Sequence, residues 1–103
     1  MSYRRQHLLS ADGTKIWAEC AGNPSKPAVV FLHGLTSGLF VFDRQFSDEN
    51  LLKDLYMIRY DLRGHGQSDY PATPTAYESR RYAEDFDAVC KWAEANKPVV
   101  LGW

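Results

Sequence analysis

Apolar and polar positions alternate with two different periods along the chain. Arg5 to Leu9 and Lys15 to Cys20 read as two strands around Ser10-Ala11-Asp12-Gly13-Thr14. Asp-Gly accepts positive φ, so the segment predicts an antiparallel hairpin. In the second strand Ile16, Ala18 and Cys20 share one face and Lys15, Trp17 and Glu19 the other, the pattern of a half-buried strand. After a loop at Gly22 to Pro27, Ala28 to Leu32 runs apolar without alternation. A short run of that kind marks a parallel strand covered on both faces.

Leu39 to Asp54 predicts an irregular helix with Phe42, Phe46, Leu51 and Leu52 as its apolar positions and a break near Ser47-Asp48. Tyr56 to Tyr60 predicts a strand, and Leu62 to Thr75 a loop with two glycines and two prolines. From Ser79 to Asn96 the period becomes helical, with Tyr82, Phe86, Val89, Cys90 and Ala93 on one stripe. Asn96 and Pro98 end it, and Val99 to Leu101 starts another apolar strand. The order β-β-β-α-β-α-β predicts an α/β fold, a β-hairpin followed by mainly parallel strands with flanking helices.

Composition narrows the function classes. The 103 residues carry 12 basic and 13 acidic side chains, a net charge of −1. A compact chain of this length buries roughly 65 % of its extended surface, enough for one small core. Charge is spread evenly, so nothing predicts a nucleic-acid or anionic-lipid partner. No apolar run approaches the ~18 residues of a membrane helix. Arg4-Arg5 is not followed by the apolar stretch of a secretory leader. Cys20 and Cys90 are therefore expected as free thiols in a reducing compartment, and the expected location is cytoplasmic.

Sites in open α/β sheets form where strands end, and three ends are unusual. Leu32-His33-Gly34-Leu35-Thr36-Ser37-Gly38 offers backbone N–H groups after a strand, which suit an oxyanion or a phosphate at a helix N-terminus. A plain turn with His33 bonded locally is the simpler reading. The P-loop spacing is unmet, since Gly34 and Gly38 are too close and no Lys follows.

Asp61-Leu62-Arg63-Gly64-His65-Gly66-Gln67-Ser68-Asp69 lacks the third glycine of a dinucleotide motif. It reads as a loop locked by Asp61 and Arg63, with Gly64 and Gly66 for tight geometry and no catalytic role for His65. Val99-Val100-Leu101-Gly102-Trp103 supplies the first two positions of G-x-S-x-G, the strained strand-to-helix turn that presents a nucleophile. His33, His65, Asp61 and Cys20 have no close metal-ligand spacing, so neither a metal nor another cofactor is expected.

Together these segments and the helix around Tyr82-Ala83-Glu84-Asp85 resemble, in order and spacing, the N-terminal part of an α/β-hydrolase of the esterase, lipase and peroxidase-like superfamily. The resemblance covers essentially the whole chain and implies one partial domain, 1–103. It implies that His33, Gly34 and Leu35 form the oxyanion-hole loop, with the Leu35 N–H as donor and His33 as its support. It also implies that Asp61, Arg63, Gly64, His65 and Gly66 form a structural loop beside the site. Gly102 and Trp103 would begin the nucleophile elbow. Nucleophile, acid and triad His would all follow position 103.

Thr36 stands where the epoxide-hydrolase and dehalogenase branches usually have proline, and Trp103 where they often have His. Both departures favour a serine nucleophile and a small ester-like substrate for the parent, with this chain alone inactive. The strand 99–103 would be left with an unpaired apolar edge open to self-association. The alternative is a non-catalytic interaction protein that pairs through that strand.

Overall fold

The computed structural model describes residues 2–102. β1 (Ser2–Leu9) and β2 (Lys15–Gly22) pair antiparallel, with Leu9 opposite Lys15. The Ser10 N–H bonds Thr14 O (2.9 Å) and the Gly13 N–H bonds Ser10 O (3.0 Å), closing the predicted turn. β3 (Ala28–Leu32), β4 (Tyr56–Tyr60) and β5 (Val99–Gly102) complete one five-stranded sheet in the order β1-β2-β4-β3-β5. β2 meets β4 antiparallel, whereas β4, β3 and β5 run parallel. The hairpin is thus the antiparallel edge of a mixed sheet whose other three strands run parallel, as its sequence predicts.

β4 is buried along its whole length because both faces are covered. Tyr56, Ile58 and Tyr60 join Ile16, Ala18, Cys20 and Val30 under the long helix α3 (Ser79–Ala93). Met57 packs on the other face with Ala21, Phe31, Phe42 and Phe46. Ile16, Val30, Ile58 and Val89 are fully buried, and each contributes about 1.5–3 kcal/mol of burial.

The irregular helix resolves into a 3₁₀ turn at Leu39–Phe42, then α1 (Asp43–Ser47) and α2 (Glu49–Asp54). The break falls at Asp48, which is extended and whose carboxylate accepts from Asn50 N (2.9 Å) and Leu51 N (3.1 Å). It is a helix N-cap. The loop predicted after β4 runs into a 3₁₀ turn at Pro74–Tyr77, two residues past its expected end.

α3 stops three residues before the predicted Asn96. Glu94 takes the left-handed conformation (φ 57°), and the Ala95 N–H reaches back to Cys90 O (2.9 Å). That bond pattern terminates helices, and the Asn-Lys-Pro run was the wrong stop signal. β5 pairs with β3 alone among the described residues. Val99, Val100 and Leu101 are 63 %, 48 % and 44 % exposed.

Candidate functional site

The loops after β3 and β4 meet at the carboxyl ends of those strands and are stitched together by reciprocal bonds. The Leu62 N–H donates to His33 Nε2 (2.9 Å), and His33 Nδ1 lies 2.7 Å from Gly34 O. Since Nε2 accepts, the proton sits on Nδ1 and is donated to that carbonyl. In the opposite direction, the Thr36 N–H donates to His65 Nε2 (3.0 Å), and His65 Nδ1 donates to Arg63 O (3.0 Å). Both imidazoles must be neutral to accept, and their ring centroids lie 5.0 Å apart. Burial pushes the His33 imidazole below its usual value; the Gly34 carbonyl opposes this, His65 adds to it and Asp61 opposes it. His33 has both ring nitrogens engaged, which fits a supporting part in the loop.

Asp61 ties the same two loops through its carboxylate. It accepts from Leu39 N (2.8 Å) and Gln67 N (2.9 Å). Gly66 lies so close that an added Cβ would stand 2.2 Å from Asp61 Oδ2, and its φ is +49°. Only a residue without a Cβ allows that approach. Gly64 is similar, with φ +76° and the Tyr77 ring 3.0 Å from a notional Cβ. Ser68 completes the lock, donating to Asp61 O (2.6 Å) and accepting from Trp17 N (2.9 Å).

Arg63 holds the loop from below. Its guanidinium is fully buried and meets the equally buried Asp85 carboxylate through two bonds, Nε to Oδ2 (2.8 Å) and Nη2 to Oδ1 (2.6 Å). It also donates to Ala76 O (2.7 Å) and to Asp12 in the hairpin turn (2.9 Å). Arg63 is pushed above its ordinary value, chiefly by its bonds to Asp85, and the Arg63 bond holds the Asp12 carboxyl well below the carboxylate range.

Neither Asp85 nor Asp12 was identified from sequence as a partner of Arg63. The signal for Asp85 was present: it lies four residues before Val89 on the apolar stripe, where a charge requires a partner. Asp12 was read only as a turn former. The pairing of Glu19 with Arg59 depends on strand order and carries no signal in the sequence.

The turn between the loops is tight. The Ser37 N–H bonds Gly34 O (3.2 Å) and Thr36 takes φ +64°. Among the described residues, the N–H groups of Thr36, Ser37 and Leu39 have partners, and those of Gly34, Leu35 and Gly38 have none. Leu35 is 71 % exposed. The structure thus brings His33, Gly34 and Leu35 together with Asp61, Arg63, Gly64, His65 and Gly66. Gly102 ends β5, two strands along from β4 and beside Leu32. Trp103 lies outside the described residues.

Among those residues, no three His, Cys, Asp or Glu side chains gather in a metal-binding group. No helix is long and apolar enough to cross a membrane. Cys20 and Cys90 are free thiols, the first buried.

A strand-end site of this kind on a mixed sheet has counterparts among known proteins. The family model described as "alpha/beta hydrolase fold" matches residues 27–103. This chain belongs to that family. A probable oxidoreductase, EphD, of Mycobacterium tuberculosis is 36 % identical over 91 residues, covering 87 % of this chain and 15 % of that protein.

Among solved structures, a Burkholderia cenocepacia protein assigned as an aryl esterase superposes with a TM-score of 0.90 at 36 % identity, over 97 % of this chain and 37 % of its own. An esterase from Exiguobacterium antarcticum gives 0.83 at 31 %, over 97 % and 35 %. The chain therefore spans between about a seventh and two fifths of these relatives.

Proposed function

We propose that residues 1–103 are the N-terminal part of a hydrolase active site for a small ester or related acyl substrate, with a serine nucleophile. The Leu35 N–H donates to the oxyanion of the tetrahedral intermediate. A second donor would follow the nucleophile, at the turn that Gly102-Trp103 begins. Ester hydrolysis needs such donors fixed before charge develops, about 2.7–3.1 Å from the oxyanion. The observation that carries this reading is that, among the described residues, the Leu35 N–H has no partner while the two amides that follow it, Thr36 and Ser37, are tied. The esterase names of two structural relatives support the acyl class.

In this reading His33 supports the oxyanion turn, and Asp61, Arg63, Gly64, His65 and Gly66 form a structural loop beside the site. None of the three histidines matches the triad His by position, so the 103 residues alone perform no triad catalysis. Purified residues 1–103 are expected to hydrolyse p-nitrophenyl acetate no faster than buffer.

In a longer protein carrying them, Leu35→Pro deletes one donor and should lower kcat about 10²–10³-fold, with circular dichroism checking the fold. Unchanged turnover in a folded Leu35→Pro variant would refute the reading.

The exposed outer edge of β5 favours a second reading, pairing of this strand with another sheet. It predicts that residues 1–103 self-associate, by light scattering. A sharp monomer with a cooperative melt would remove it.

A further inference from the structure

Arg59 is the second buried arginine, and the lock around Arg63 does not use it. It sits on β4 two residues before Asp61, so both side chains project to the same face of the sheet. The two converge on one residue of the turn. Asp61 accepts the Leu39 N–H (2.8 Å), while Arg59 Nη1 donates to the Leu39 carbonyl (3.0 Å). Leu39 is thereby held at both its amide and its carbonyl by charged side chains, Arg59 on β4 and Asp61 just after its end. It directly follows the Gly34–Gly38 turn that carries the Leu35 N–H.

The rest of the guanidinium is also committed. Nε and Nη2 meet Glu19 of β2 (3.0 and 2.8 Å), the residue opposite Arg59 in the strand register. Nη1 also meets Asp43 at the start of α1 (2.7 Å), and the Phe46 ring lies 4.2 Å from the guanidinium carbon. Glu19 is held in turn by Tyr3 Oη (3.1 Å) and Trp17 Nε1 (3.0 Å).

Arg59 and Glu19 are 6 % and 5 % exposed. Burying such a pair costs desolvation that an apolar pair of equal volume would avoid. An apolar pair could fill the space but could not fix the Leu39 carbonyl.

We propose that Arg59, oriented by Glu19, is a positioning residue for the oxyanion turn: it sets where the Leu35 N–H points by anchoring Leu39 and the start of α1. The inference rests on the acyl-hydrolase reading for its catalytic consequence, but its structural half stands independently.

The test uses the longer protein carrying these residues, p-nitrophenyl acetate, and active sites counted with a fluorophosphonate. Arg59→Met should lower kcat per titrated site about 10–100-fold with KM within about twofold, since a misplaced donor weakens the transition state more than substrate binding. Arg59→Lys reaches one partner and should recover part of the loss, and Glu19→Gln should fall between. Amide exchange in the Arg59→Met variant should quicken at least about tenfold at Leu39 and its neighbours in the turn, and by more there than in β2 or β3.

Unchanged kcat per site with a lower melting temperature would make Arg59 merely structural and overturn the proposal. If the unsubstituted protein neither turns over the ester nor takes the probe, the acyl reading fails. Exchange at Leu39 then decides the positioning claim alone, and unchanged exchange overturns it. Should Arg59→Met not fold, Glu19→Gln and Arg59→Lys read the same quantities.

Discussion

Two buried arginines on one stretch of chain, Arg59 and Arg63, do different work because different things hang from them. Arg63 ends in side chains and a carbonyl of elements packed together anyway: Asp85 on α3, Asp12 in the hairpin turn and Ala76 O. Losing it loosens the fold. Arg59 reaches the Leu39 carbonyl and Asp43, where the Gly34–Gly38 turn leads into a short helix. Losing it should loosen that turn. A buried ion pair is therefore best judged by the segment that depends on it, since the pair itself adds little net stability.

The sharpest way to separate the two is Asp85→Ala, which leaves the Arg63 guanidinium buried without its bidentate partner. It should cost about 3–5 kcal/mol in urea unfolding of the longer protein, while kcat per folded site stays near that of the unsubstituted enzyme. A loss below about 1 kcal/mol would show that Arg63 is not the principal lock. Next in size is Gly66→Ala. A Cβ there displaces the Asp61 carboxylate, which strands the N–H groups of Leu39 and Gln67. A loss of about 2–3 kcal/mol is expected, and this variant, unlike Asp85→Ala, should also slow turnover.

A pH titration sharpens the comparison from the histidine side. His33 must be neutral to accept the Leu62 N–H, and burial holds its value below the ordinary 6.5. As pH falls below 6.5 the unfolded chain binds a proton that the native imidazole refuses. Stability contributed by His33 is therefore full above that value and is lost as pH falls towards the lowered native one. His33→Gln should flatten this slope, and an equally steep slope in the variant would assign it elsewhere. The smallest effect expected is at Asp48→Ala, which removes the cap of α2 for about 1 kcal/mol without touching either arginine.

Much of the fold was legible because each strand and helix carries its own signal. The unbroken apolar run at Ala28 to Leu32 and the helical stripe ending at Ala93 state their period directly. The break near Ser47-Asp48 was legible too, although the cap that makes it, the Asp48 carboxylate, is seen only in the structure. Helix termination was misplaced because a non-glycine residue, Glu94, took the left-handed turn.

Of the site, the loops were legible as motifs and their bonding was not. The reciprocal ties of His33 and His65 depend on how two loops 29 residues apart approach. Likewise, the Glu19–Arg59 pair exists only because β2 lies beside β4 in a register that sets those residues opposite each other.

The most direct test of the central claim is a crystal structure of the longer protein with a phosphonate ester trapped on its nucleophile. The claim requires the phosphonyl oxygen within about 2.7–3.1 Å of Leu35 N, with the His33–Leu62 and His65–Thr36 bonds intact. A phosphonyl oxygen held by other donors, with the Leu35 N–H turned away, would contradict it.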